Sequence, residues 1–462
     1  MHLHHVSDLA PQTVGGMGKP MKKSILIRGA IFVPLLGLLV SLSGYSAQAV
    51  APKPASGTVT VWLEDNAQDV CIKKVMLAEN KNTKLKFDIT LKKGQDVVLK
   101  TAVAGGAGPD VIMTPGPSYT EQFALAGAMA PLDLYVKPYG WDKSFAPWAL
   151  KQGVVKGKLY DLPNELETML LWYNKTVFDS MGLKAPKTTA ELNADIEKFN
   201  AAGITPFAAG NKEWKGVNEW LISAMFNGVA GPDAVYNALI NKTKWNTPGF
   251  LEATTMLNDW QQKGYLSGGL DRFYTKTFDE ALADLATGKA AMTMEGSWKF
   301  GPALDAAFAK AGKEWAWAPF PTKTGKELYS IAAGSSWGIN AASKNKAGAA
   351  EYLNLMYSAT TQAKTLVGCS MSPAPVTIPA SLLTGLEKRH ADEVAAVAAA
   401  AAKGNYGYLT WSFWPPKSEQ YIITDVEKVW AKAITPAQYL DGLDAIYQTE
   451  TLAKALPPIP KR

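Results

Sequence analysis

The 15 tryptophans are the residues of this sequence with the clearest chemical use. Several stand beside glycine, proline and small polar residues instead of on apolar helix faces. Trp214 lies in Asn211-Lys212-Glu213-Trp214-Lys215-Gly216, Trp298 in Glu295-Gly296-Ser297-Trp298, and Trp337 in Gly334-Ser335-Ser336-Trp337. Trp411 and Trp414 share Thr410-Trp411-Ser412-Phe413-Trp414-Pro415-Pro416, and Trp62 closes a strand-like run that leads into Glu64 and Asp65. An indole presents a flat apolar face that matches the C–H face of a pyranose, while neighbouring carboxylates and amides accept hydroxyl hydrogens. Aromatics interleaved with acids therefore describe a neutral, polyhydroxylated ligand. Trp172, Trp220, Trp260 and Trp430 follow helix or strand periods and read as packing rings.

Other chemistry has less support. Glu64, Asp65, Glu165, Glu167 and Glu295 all fall at strand or loop ends, so a two-carboxylate glycosidase is a competing reading. Gly105-Gly106-Ala107-Gly108 runs into a strand without a following Lys-Ser/Thr, which reads as a turn and not a phosphate loop. The histidines are His2, His4, His5 and His390, so one imidazole remains beyond residue 49, and histidine triads and His-rich zinc sites are excluded. No cofactor or metal is expected. Beyond residue 49 the chain carries 43 basic against 40 acidic side chains, a balance that does not describe a nucleic-acid binder. Its arginines there are Arg272, Arg389 and Arg462, which argues against an anionic ligand.

The elements that must position these groups follow from pattern. Met21, Lys22, Lys23 and Arg28 precede an apolar run, Gly29–Leu42, and Ala47-Gln48-Ala49 follows it, the pattern of a secretory signal cut after Ala49. The run falls short of the roughly 20 residues needed to cross a bilayer. Residues 1–49 are read as leader and signal peptide, with Met21 as the natural start. The remaining 413 residues suffice for two cores. Strands over Thr58–Leu63, Lys84–Leu91 and Asp110–Met113 alternate with helices over Val70–Glu79 and Asp96–Val103, which predicts parallel α/β layering. Ligands bind beyond the carboxyl ends of such strands, so Glu64, Asp65 and Thr114 should share a crevice. Thr188-Thr189-Ala190-Glu191 opens a second α/β unit as a capping-box variant. Further helices are expected at Glu219–Asn227, Phe250–Gly264, Thr277–Gly288, Ala347–Ser358, Asp392–Lys403, Ile422–Ala433 and Pro436–Leu452. Cys71 and Cys369 are so distant in sequence that two separate buried thiols are the favoured reading, with oxidative joining left open.

Longer motifs recur in a definite order: Gly108-Pro109-Asp110-Val111-Ile112, Phe123–Asp133, Gly157-Lys158-Leu159-Tyr160-Asp161-Leu162-Pro163, Trp172-Tyr173-Asn174-Lys175, Pro186-Lys187-Thr188, Gly288–Trp298 and Gly338–Lys346. Together they resemble the extracellular solute-binding proteins of bacterial ABC importers, in the carbohydrate-binding family that includes the maltose-binding relatives. The resemblance covers nearly all of residues 57–450. It implies an α/β, two-lobe periplasmic-binding-protein fold, type II-like, with three hinge crossings and a ligand cleft between lobes that close by hinge motion. The matched motifs give an N-terminal lobe of residues 57–165 plus 322–367, a C-terminal lobe of 166–321 plus 375–450, and a tail, 451–462.

The resemblance also carries roles. Trp62, Glu64 and Asp65 follow the family's first-strand ligand motif, Glu167 its hinge carboxylate and Trp298 its stacking ring; Trp414 sits near its late aromatic, a place Trp411 can also take. Trp337 is expected to wall the cleft, and Thr114 and Trp214 to line its rim. After Gly-Pro-Asp this chain has Thr114, Pro115, Gly116, Pro117 and Ser118, where maltodextrin-binding members place a tryptophan and charged residues, so maltose itself is not implied. The expectation is a non-enzymatic monomer in the periplasm or at the outer face of the cytoplasmic membrane. It would bind a mono- or oligosaccharide and deliver it to the permease of an ABC importer. The alternatives are a secreted glycosidase and a solute-binding protein for a non-sugar ligand such as a glycerol phosphoester.

Overall fold

The computed structural model describes residues 55–212 and 215–462. The leader, the cleavage site and Trp214 lie outside the described residues. Ten strands form one twisted sheet: β1 (Gly57–Glu64), β2 (Leu85–Lys92), β3 (Val111–Thr114), β4 (Met129–Ala130), β5 (Asp161–Asn174), β6 (Thr205–Phe207), β7 (Ala290–Gly296), β8 (Trp315–Pro319), β9 (Tyr329–Asn340) and β10 (Tyr406–Tyr408). The hydrogen-bonded order is β2-β1-β3-β9-β5-β7-β6, with β8 on β5 and with β4 and β10 on β9.

Local sequence explains the first half. In β1 the alternation of Gly57-Thr-Val-Thr-Val-Trp-Leu-Glu64 buries Val59, Val61 and Leu63, and Asn66 then accepts from the Asp69 amide to cap the helix Ala67–Glu79. β1 pairs in parallel with β2 and β3, as the alternation of strands and helices predicts. Thr188 and Glu191 form the expected capping box of the helix Thr189–Ala201, and Thr277/Glu280 and Thr435/Gln438 repeat the device. The helix expected over Glu219–Asn227 spans Val217–Met225 and runs into a π-helical turn, Phe226–Ala230.

The sheet is not parallel throughout. β9 runs antiparallel to β3 and β5, because these long strands carry the chain between two bodies instead of returning through a helix. Residues Asp161–Thr168 of β5 pair with β9, whereas Met169–Asn174 lie between β7 and β8. Apolar packing divides at the same place. One core gathers Val59, Val61, Ile89, Leu162, Ile339 and Leu353, and another gathers Leu170, Trp172, Ile222, Met292, Phe413 and Leu440. Such a division gives two lobes hinged where β5 and β9 cross. A third crossing is fixed at Leu166, whose amide donates to the Pro373 carbonyl at 2.7 Å.

Cys71 and Cys369 form a disulfide, which corrects the reading of two separate thiols. The helices Ala67–Glu79 and Ala359–Cys369 pack side by side in the first lobe, so residues 298 apart in sequence come together.

Candidate functional site

The crossing strand brings two acids to one place. Glu165 and Glu167 are two residues apart on β5, so their side chains leave the same face, at the point where the strand passes between the lobes. Their carboxyls lie close enough to act on each other's ionisation. Ser335 Oγ donates to Glu165 Oε2 at 3.1 Å, and the Trp411 indole N–H donates to Glu167 Oε2 at 2.9 Å. Burial raises both carboxyls above the ordinary range, and for Glu167 the neighbouring Glu165 charge raises it further.

Three indoles stand over this pair. The Trp298 ring centroid lies 5.7 Å from that of Trp411, edge to face, and 5.0 Å from that of Trp220 at 50°. With Pro115 and Ser335, these rings and acids line a cavity of about 220 Å³. Larger cavities lie elsewhere, in a groove lined by Asn193, Glu197 and Trp260 and in one lined by the C-terminal segment Ala453–Pro458. The first also holds Trp260 and Tyr265 with Glu197, Glu252 and Asp259, but its lining falls within residues 193–265 and not where β5 and β9 cross.

Two glycines make the arrangement possible. A Cβ on Gly334, opposite Glu165 in the β5–β9 pairing, would lie 1.9 Å from the Glu167 carboxyl carbon, and one on Gly296 would lie 2.1 Å from the Trp298 ring. Neither position has space for a methyl group. Gly334→Ala is therefore expected to push the Glu167 carboxyl off Trp411 and weaken ligand binding by about tenfold or more. Calorimetric titration against the unsubstituted protein checks this.

The expected residues divide. Glu167, Trp298 and Trp411 line the cavity. Thr114 is buried with Oγ1 2.6 Å from Thr120 Oγ1, one residue short of the lining Pro115. Glu64 is level with Thr114 by the β1–β3 register, yet its carboxylate accepts from the Gly94 and Gln95 amides at 2.9 and 2.7 Å and so caps the helix Gln95–Ala104. Asp65 is exposed. Trp62 packs beside Leu99, Val103, Ile112 and Met129 with Lys92 Nζ 4.3 Å from its ring centre.

Two expectations are corrected. Trp337 does not wall the cleft: it leaves the face of β9 opposite Gly334 and is 1% exposed, its ring stacked near Tyr352 in the first core. Trp414 is also core. The helical turn Thr410–Phe413 ends before it and its backbone becomes extended, so its ring turns away from that of Trp411 and lies 5.0 Å from Trp245. Sequence pattern also left two members out of the expected lining. Trp220, read as a packing ring, shares the cavity, because a helix period cannot tell a core-facing stripe from a cleft-facing one. Glu165 was visible only as an acid two residues from Glu167. Trp172, Trp260 and Trp430 are interior rings.

Several buried carboxyls shape the pH response. Burial pushes Asp69, Asp161 and Glu219 up to about 7 and Glu393 up to about 8. The folded chain thus holds protons that the unfolded chain has released by pH 6, and the stability these groups contribute is lost as pH rises through 7 to 8. His390, pushed down to about 4 by burial, works in the opposite sense, but only below about pH 6.5. The melting temperature of the unliganded protein is expected to fall by about 5 °C between pH 6.5 and 8.5, read by calorimetry.

The architecture is a two-lobe α/β fold, and the cavity lies where its strands cross between the lobes. Residues 65–363 match the family model of bacterial extracellular solute-binding proteins, and the chain belongs to that family. A probable sugar-binding periplasmic protein of Mesorhizobium japonicum is 28% identical over 50% of this chain and 54% of its own length. A multiple sugar-binding protein of Streptococcus mutans is 27% identical over 54% of this chain and 60% of its own. The chain thus spans little more than half the length of these curated relatives. A solved chitin oligosaccharide binding protein superposes with a TM-score of 0.70 over 85% of this chain and 98% of that one, at 22% identity, a likeness of fold.

Proposed function

We propose that this protein captures a mono- or oligosaccharide outside the cytoplasmic membrane and presents it to the permease of an ABC importer. The carrying observation is the cavity in which the Trp220, Trp298 and Trp411 rings face the Glu165–Glu167 pair at the lobe crossing. The rings suit the apolar faces of a pyranose and the carboxyls suit its hydroxyls. Relatives described as sugar-binding proteins support the same class of ligand. Residues 57–165 plus 322–367 form one lobe in this reading and 166–321 plus 375–450 the other. The ligand favours closure by touching both: Pro115 and Ser335 come from the first, Trp220, Trp298 and Trp411 from the second.

A specific observation disfavours hydrolysis. The carboxyls of a glycosidase bracket the scissile bond from opposite sides, whereas Glu165 and Glu167 leave the same face of a single strand two residues apart. Phosphoester ligands are disfavoured by the acidic lining. A thermal-shift panel of mono- and disaccharides tests the proposal: a bound sugar raises the melting temperature with the logarithm of its concentration over Kd. No response to any saccharide at millimolar concentration would overturn it, as would turnover of an aryl glycoside.

A further inference from the structure

The charge around the cavity is one-sided. Among the described residues that line it, Glu165 and Glu167 are the ionisable ones, and no lysine or arginine accompanies them. The charges that Glu167 feels are those of Glu165 and Glu219, both acidic. Glu219 is fully buried, accepts from Thr410 Oγ1 at 2.5 Å and lies near the buried Glu419, which in turn feels Glu450 and Glu121. Asp69 and Tyr357 feel Glu165 from the first lobe. Lys299, next to Trp298, is already paired with Glu295 at 3.0 Å.

Two buried carboxyls set against each other ionise together only with a compensating charge, so the pair favours sharing a proton. A neutral sugar leaves that condition unchanged. A guest that brings a positive charge lets the pair ionise, with the Trp220 and Trp298 rings lining the same cavity. The polar lining further selects the kind of cation. Carboxylate and hydroxyl oxygens require N–H or O–H donors, and a quaternary ammonium supplies none, which would leave them buried and unpartnered.

We propose that the saccharide held between the three indoles and the Glu165–Glu167 pair is an amino sugar bound through its protonated amine. This rests on the saccharide reading above and departs from the neutral ligand suggested by residue types alone. On binding, the ammonium donates N–H bonds to both carboxylates, and the proton they had shared leaves to solvent. Glu219 and Glu419 near Glu167, and Asp69 near Glu165, add acidic groups and no cation to the surroundings.

Isothermal titration of the full protein at pH 7 with D-glucosamine and its β-1,4-linked dimer, against D-glucose and cellobiose, tests this in two buffers of different ionisation enthalpy. The expected result is at least tenfold tighter binding of the amino sugars, with release of close to one proton per ligand. Glu165→Gln is expected to reduce the amino-to-neutral affinity ratio to below twofold; should that variant not fold, the ratio and proton count of the unsubstituted protein decide alone. Equal or tighter binding of glucose or cellobiose overturns the amine and leaves the saccharide reading standing. Tetramethylammonium binding as tight as glucosamine also overturns it, since N–H and O–H donors would then be irrelevant. If neither sugar class binds, the saccharide reading falls and takes this inference with it.

Discussion

Trp298→Ala lowers saccharide affinity by about 100-fold in isothermal titration, the largest loss expected from any single ring. The estimate follows from the ring's place: half-buried, in contact with Trp220 and Trp411, and facing the cavity across from Glu167. Covering a large side chain is worth about 1.5–3 kcal/mol, and each 1.4 kcal/mol is tenfold in Kd. Hydrogen bonds to the ligand return about 0.5–1.5 kcal/mol each after displacing water, so they cannot replace the lost ring. Truncation also frees the Trp411 ring, which fixes Glu167 through its N–H, and this second effect adds to the first. An affinity within about twofold of the unsubstituted protein would place Trp298 outside the binding surface. Trp414→Phe makes a useful contrast, because that ring is packed on Trp245 in the second core and its replacement should change stability more than Kd.

The second large effect concerns stability. Replacing Cys71 and Cys369 together by serine is expected to cost about 4 kcal/mol and to lower the melting temperature by about 6 °C or more. The bridge closes a loop whose ends are 298 residues apart, and a cross-link over so long a segment removes much of the freedom of the unfolded chain. It joins the helices Ala67–Glu79 and Ala359–Cys369, both in the first lobe, and neither cysteine lines the indole cavity. Saccharide affinity should therefore stay within about twofold while the melting temperature falls. A parallel loss of affinity would show that the bridge also sets the approach of the lobes. Reduction of the unsubstituted protein should reproduce the fall.

The capping boxes at Thr188, Thr277 and Thr435, the alternation of β1 and the helix Pro436–Leu452 all follow from neighbours a few residues apart. So does the contrast between interior rings such as Trp172 and a ring such as Trp298 that follows Glu-Gly-Ser. Ordered motifs carried further, to a hinge carboxylate at Glu167 and to the family that the chain belongs to. These are properties of local pattern, and local pattern is what a linear sequence records.

Which rings meet was decided elsewhere. Trp411 and Trp414 are indistinguishable by neighbourhood, and only the end of a four-residue helical turn sends one to the cavity and the other to the core. Trp337 shares the Gly-Ser surroundings of Trp298 but stands on the far face of β9. The contact of Glu165 with Ser335, and the space that Gly334 leaves for Glu167, arise from the pairing of strands more than 160 residues apart. The same is true of the Cys71–Cys369 bridge. The sequence alone determined the local elements, the kind of side chain available for the proposed sugar and the two-lobe class of fold. Tertiary structure alone decided which indoles and acids converge and that no cation accompanies them among the described lining residues, because register and crossing geometry are fixed by contacts that no short stretch of chain contains.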